Sequence, residues 1–175
     1  MVESSLKPCS VRHLYGWSHG EEVTRTQPHR SEVGSKTQEE IGISIIIPTL
    51  NQGDTIEDTL LSILAQNYGN LEIIVMDGGS TDGTLSVLEE YKPWISHLIS
   101  KKDGGQSQAI NQGFRLASKE IFAWINSDDY YLPGTFYKVV SHFNSDPDIR
   151  FAVGSGDVIS KDHGFLRHVP ALEMD

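Results

Sequence analysis

A chain of 175 residues with 24 acidic and 14 basic side chains carries a formal charge of −10 and one cysteine, Cys9. That balance speaks against a nucleic-acid polymer or an anionic membrane as the main partner, and a lone cysteine excludes both an internal disulfide framework and a cysteine zinc site. No apolar stretch approaches the roughly 20 residues of a membrane span, and the amino terminus lacks the basic-then-apolar pattern of a signal peptide; the expected location is cytoplasmic, in solution or peripheral at the inner face of the membrane.

Residues 1–40 show no apolar periodicity and are rich in Ser, Thr, Glu, Gln and His, so they read as a disordered leader ahead of one domain over 41–175. Ile43-Ser44-Ile45-Ile46-Ile47 reads as a buried strand that Pro48 stops. Asp54-Thr55-Ile56-Glu57 has the form of a capping box, and Ile56, Leu60, Ile63 and Leu64 follow at helical spacing. Residues 71–76 predict a second strand and Gly78-Gly79-Ser80-Thr81 a turn. Leu85 and Leu88 mark the next helix, with Asp82 as its cap. Residues 95–99 predict a weaker third strand. Gly104-Gly105 precedes a helix whose buried stripe is Ile110, Gly113, Phe114 and Ala117. Residues 121–125 predict a fourth strand, and Pro133 begins a helix running through Phe143, in the first-turn position proline tolerates. Residues 149–153 and 157–160 are further strand candidates.

Strand and helix alternating at this spacing imply an α/β fold: a doubly wound, mostly parallel, Rossmann-like sheet. The loops that follow its strands converge on the carboxyl edge, where open α/β sheets bind ligands. The polar clusters fall in those loops: Thr49-Leu50-Asn51, Asp77-Gly78-Gly79-Ser80, Asp103-Gly104-Gly105-Gln106 and Asn126-Ser127-Asp128-Asp129. Adjacent carboxylates at a strand end repel each other unless a positive charge stands beside them. Mg²⁺ or Mn²⁺ bound by a carboxylate and by phosphate oxygens would supply it; a turn with two solvated acids is the alternative. Glycines opening a helix let backbone N–H groups approach an anion. Lys101 and Lys102 beside them read as a solvated pair.

The segments IIIPTLN, EIIVMDGGSTDGT, DGGQSQAINQG and FAWINSDDYYLPG occur in this order, each at a predicted strand end. Over residues 41–160 they resemble the amino-terminal, nucleotide-sugar-binding half of a family 2 glycosyltransferase with the GT-A fold. The resemblance implies inverting, metal-dependent transfer of a sugar from a nucleoside diphosphate sugar to a glycan, lipid-linked or protein acceptor, as in polysaccharide biosynthesis. It implies donor contacts from Thr49 and Asn51 to base or ribose, from Asp77 to a base N–H, and from Asp103, Gln106, Asn126, Ser127 and Asp128. Asp128 would be the metal ligand for Mg²⁺ or Mn²⁺. The sequence departs from the family pattern at Gly78, where a second acid is usual, and at Asn126, usually an acid. The family's general base lies well beyond the metal motif. Asp157, Asp162 and Glu173 do not match it, so the base is expected beyond Asp175 and the chain is expected to be a truncated, donor-binding half. A non-catalytic nucleotide-sugar binding module is the alternative.

Overall fold

The computed structural model describes residues 41–160 and 164–171. The leader assigned to residues 1–40 lies outside the described residues, as do Asp162 and Glu173. The described residues form two compact units that divide between Thr135 and Phe136.

The first unit is built on four parallel strands: β1 (Ile43–Thr49), β2 (Leu71–Asp77), β3 (His97–Ser100) and β4 (Ile121–Trp124), in the order β3-β2-β1-β4. Helices α1 (Ile56–Leu64), α2 (Thr84–Tyr91) and α3 (Gln106–Leu116) connect them. β1 and β2 are central, which is why their apolar runs are nearly continuous. On one face Ile46, Ile74 and Met76 pack with Ala109 of α3, flanked by Ile99, Phe114, Leu116 and Ala117. Gly113 makes that approach possible: a Cβ there would stand 2.5 Å from Ile46 Cγ2. Ile45, Ile47, Ile73 and Val75 alternate onto the other face and are just as buried. Both faces are thus covered, as expected of a doubly wound sheet.

Several boundaries differ from the sequence expectation. Pro48 does not stop β1, which continues to Thr49 paired with Asp77. Ile46 accepts a hydrogen bond from Ile125 N–H on the β4 side. Pro48 faces the same way two residues on, past the last residue paired with β4, so its missing N–H is not needed. The capping box does not form: Thr55, not Asp54, precedes α1, without a side-chain cap, and Glu57 accepts a bond from Tyr91 Oη, 2.8 Å away. Gly83, not Asp82, is the N-cap of α2 and brings no side-chain cap; Asp82 stands one residue earlier, where its Oδ1 accepts Thr84 N–H at 2.9 Å. The last helix, α4 (Thr135–Ser145), begins after Pro133 because Gly134 has φ +76°.

At the amino edge of the sheet, buried Glu72 accepts hydrogen bonds from Ser44 Oγ (2.5 Å), Ser118 N–H (2.8 Å) and Ser118 Oγ (2.9 Å). Burial raises its pKa, but these bonds and His97 at 3.9 Å outweigh it, and the carboxyl titrates below its ordinary value.

In the second unit, most of α4 precedes an antiparallel hairpin of β5 (Gly156–Ile159) and β6 (Phe165–Val169). Residues 149–153 are not a strand, and β6 was not foreseen. Asp157 and His168 are cross-strand partners whose Oδ1 and Nδ1 lie 2.7 Å apart.

Candidate active site

The carboxyl ends of the four parallel strands surround a cleft of about 350 Å³. β1 and the loop after it contribute Pro48, Thr49, Leu50 and Gln52, and the loop after β2 contributes Gly78. The loop after β3 and the start of α3 contribute Asp103, Gly105, Gln106 and Ala109; the loop after β4 contributes Asn126, Ser127 and Asp128. Six of the eight residues assigned to donor binding from sequence therefore line one cleft: Thr49, Asp103, Gln106, Asn126, Ser127 and Asp128.

The lining residues are tied to one another and to neighbouring elements. Gln106 Nε2 donates to Asn126 Oδ1 at 2.5 Å, and Asn126 Nδ2 donates to Asp129 Oδ2 at 2.9 Å. The Asn126 amide thereby links α3 to the acidic loop in a fixed orientation. That loop is also fastened to α1: the Thr55 hydroxyl donates to Ser127 O (2.9 Å) and the Thr59 hydroxyl to Asp129 O (2.8 Å). Asp103 Oδ1 accepts Gly105 N–H at 2.8 Å, in a turn that Gly105 permits with φ +105°. A Cβ at Gly78 would meet the Asp103 carboxylate oxygens at 3.4 and 3.5 Å. A second acid at position 78 would thus bring a like charge into the neighbourhood of Asp103.

Thr49 Oγ1 is buried in the wall and finds no hydrogen-bond partner among the described residues. A buried hydroxyl left unpaired costs about 1–3 kcal/mol, so a polar ligand atom that reached it would recover that free energy. Burial pushes the phenol of Tyr131 up to about 12, and burial with the nearby charge of Asp58 raises that of Tyr130. Both remain protonated at neutral pH, and neither is poised for acid–base work.

Asn51 and Asp77 are not brought to the cleft. Asp77 is only 1% exposed, and its carboxylate accepts from Gly79 N–H, Ser80 N–H, Ser80 Oγ and Ser100 Oγ. It faces inward, beneath the wall. Asn51 turns its Oδ1 to Thr81 N–H at 2.8 Å. Leu50 and Gln52 were missed from sequence; their signal was their position on either side of Asn51 in a polar cluster.

Among the described residues no group of three His, Cys, Asp or Glu is gathered as a metal cage. The cleft does carry two carboxylates, Asp103 and Asp128, as hard oxygen donors. That set fits a divalent cation that takes one or two protein carboxylates and draws its remaining oxygens from phosphate and water.

A parallel α/β sheet with a polar cleft at its carboxyl edge defines the class of fold that holds nucleotides at strand ends. Residues 44–171 match the model of glycosyl transferase family 2, and the chain belongs to that family. It is 33% identical over 130 residues to an uncharacterized glycosyltransferase of Rickettsia conorii, covering 73% of this chain and 21% of that one. It is 29% identical over 122 residues to the poly-beta-1,6-N-acetyl-D-glucosamine synthase of Staphylococcus aureus, covering 69% and 30%. Among solved structures, the mannosyltransferase PcManGT of Pyrobaculum calidifontis, in complex with GDP-Man and Mn²⁺, superposes with a TM-score of 0.57 at 27% identity. The match covers 69% of this chain and 36% of that one. S. aureus TarS 1-349 in complex with UDP gives 0.55 at 27% identity, covering 60% and 32%. The chain thus spans between 21% and 36% of the length of these relatives. The fold is the mostly parallel α/β arrangement of GT-A glycosyltransferases. No helix among the described residues is long and apolar enough to cross a membrane.

Proposed function

We propose that this chain binds a nucleoside diphosphate sugar in the cleft and supplies the donor side of an inverting glycosyl transfer to a hydroxyl acceptor. The observation that carries the reading is the convergence of all four parallel strand ends on one polar cleft that holds Thr49, Asp103, Gln106, Asn126, Ser127 and Asp128. Membership of family 2 and structural likeness to proteins holding GDP-Man with Mn²⁺ and UDP support it.

Asp128, with Asp103 in the same cleft, would hold Mg²⁺ or Mn²⁺ at the diphosphate. Such an ion acts as a Lewis acid that stabilises the departing nucleoside diphosphate. The chain's own groups bind and orient. The amide pair Gln106–Asn126 presents a fixed edge to ribose or phosphate oxygens. The N–H groups opening α3 favour negative charge. The unpaired Thr49 hydroxyl offers a hydrogen bond to a base or ribose. Inversion also needs a base to take the acceptor's proton. Asp157 is already paired with His168, and we assign no base within the described residues.

The test is isothermal titration of UDP and GDP with and without Mn²⁺, followed by release of sugar from UDP- and GDP-sugars. Metal-dependent binding of one nucleoside diphosphate is expected. Absence of binding to either, with Mn²⁺ present, would sink the reading.

A further inference from the structure

Three consecutive backbone N–H groups, those of Asn51, Gln52 and Gly53, point away from the cleft at a single segment, residues 80–84. Asn51 N–H donates to Ser80 Oγ at 2.8 Å, Gln52 N–H to Thr84 Oγ1 at 2.8 Å, and Gly53 N–H to Asp82 Oδ2 at 3.0 Å. Each hydroxyl passes the interaction on to a carboxylate: Ser80 Oγ donates to Asp77, and Thr84 Oγ1 donates to Asp82 Oδ1 at 2.5 Å. All three N–H groups therefore end on Asp77 or Asp82, and hydrogen bonds to charged groups are the strong kind. Thr81 N–H closes the clamp on Asn51 Oδ1. The approach is tight at position 53, where a Cβ would stand 3.0 Å from Thr84 N. Asn51 itself adopts φ +53°, a left-handed conformation that asparagine tolerates better than most residues.

The clamped loop is one side of the cleft. Thr49, Leu50 and Gln52 line it, whereas Asn51, Asp77, Ser80 and Asp82 do not. A one-residue pivot with φ above zero directs its two neighbours to the same wall while its own side chain is turned to Thr81.

We propose that Ser80 and Asn51 are positioning residues, which set Leu50 and Gln52 on the cleft wall through the relays to Asp77 and Asp82 without touching the ligand. This deepens the cleft reading given above and rests on it. Donor geometry at the first strand end is then governed by residues behind the wall. Asp77 acts as the anchor of a relay.

The experiment uses the full chain with Ser80→Ala, Asn51→Asp, Asn51→Gly and the parent. UDP and GDP with Mn²⁺ are titrated, thermal midpoints are recorded, and backbone amide exchange is followed at residues 51–53 and 81. Ser80→Ala removes no cleft atom, so its expected loss of roughly tenfold in nucleotide affinity, in a protein still folded, must come through the loop. Asn51→Asp keeps a side-chain oxygen for Thr81 N–H and is expected to bind within roughly threefold of the parent. Asn51→Gly keeps only the backbone freedom and should fall roughly tenfold. Parent-like affinity in folded Ser80→Ala would overturn the proposal. If that variant does not fold, the Asn51 pair decides: equal losses in Asp and Gly would mean that the amide itself meets the ligand. If the parent binds neither nucleotide, the cleft reading falls. Amide exchange then scores the clamp alone: faster exchange of Asn51 N–H in Ser80→Ala, or of Thr81 N–H in Asn51→Gly, upholds it, and unchanged exchange in both overturns it.

Discussion

Thr49 and Asp128 pose opposite electrostatic problems in the same cleft. Thr49 carries a buried hydroxyl with no partner among the described residues, a cost to the free protein that a ligand atom reaching it would recover. Thr49→Val keeps the β-branched shape that suits β1 and removes that hydroxyl. Its unfolding free energy is expected to stay level or rise by up to about 1 kcal/mol, while nucleotide affinity drops; urea unfolding beside calorimetric titration reads both. A loss of stability with affinity intact would show that the hydroxyl has a role inside the fold. Asp128 is exposed in the cleft and fastened to nothing described in the fold, so Asp128→Ala is expected to leave the thermal midpoint of the free protein unchanged. The same change is expected to abolish the additional stabilisation that UDP or GDP gives with Mn²⁺, since ligand stabilises only in proportion to its binding. Equal Mn²⁺-dependent shifts in variant and parent would remove Asp128 from the metal site.

At the scale of elements, the close approach of α3 to β1 depends on Gly113. A methyl group there would stand 2.5 Å from Ile46 Cγ2 and 2.9 Å from Cγ1. Gly113→Ala is expected to lower stability by about 1–3 kcal/mol through overpacking, exceeding the helix-propensity gain of about 1 kcal/mol. Chemical denaturation checks the sign, and a stabilised variant would mean that α3 can shift. The elements themselves were legible because β1, β2 and β4 are short apolar runs and the helices carry apolar residues at helical spacing. Their ends were less so. Pro48 continues β1 because the neighbouring β4 has already ended, a fact of tertiary pairing that local sequence does not carry. β6 runs Phe165-Leu166-Arg167-His168-Val169, with no apolar–polar alternation and all five residues exposed, so no buried face marked it. For the site, strand-end positions were readable because a parallel sheet sends every such loop to one edge. The direction of each side chain was not: Asp77 and Asp128 both follow strands, yet one is sealed beneath Ser80 and Ser100 and the other opens on the cleft.

Across the whole molecule, the two edges of the parallel sheet divide the work. The carboxyl edge gathers the cleft, and the amino edge gathers Glu72 with Ser44, Ser118 and His97. Among the described residues three carboxyls titrate below their ordinary values: Glu72, where burial is outweighed by its hydrogen bonds; Asp82, held chiefly by the Thr84 hydroxyl; and exposed Glu120, held chiefly by Gly42 N–H. A depressed folded-state pKa means that between the folded and unfolded values the unfolded chain binds more protons, so stability rises with pH there. The contribution is therefore present above the ordinary carboxylate range and is lost as pH falls through the depressed values. Glu72 is the buried member of the three and sits toward the amino edge of the sheet, away from the cleft loops. Glu72→Gln is expected to lower stability at neutral pH and to flatten the acid limb of the stability profile, because the amide no longer titrates. Nucleotide affinity at neutral pH should be unchanged, since no cleft residue belongs to this cluster. Denaturant unfolding from neutral to acid pH, run on parent and variant beside one nucleotide titration, measures both. An acid limb as steep in Glu72→Gln as in the parent would assign the acid sensitivity to Asp82, Glu120 or other groups. A fall in nucleotide affinity would show that the amino edge is mechanically coupled to the cleft through the strands they share.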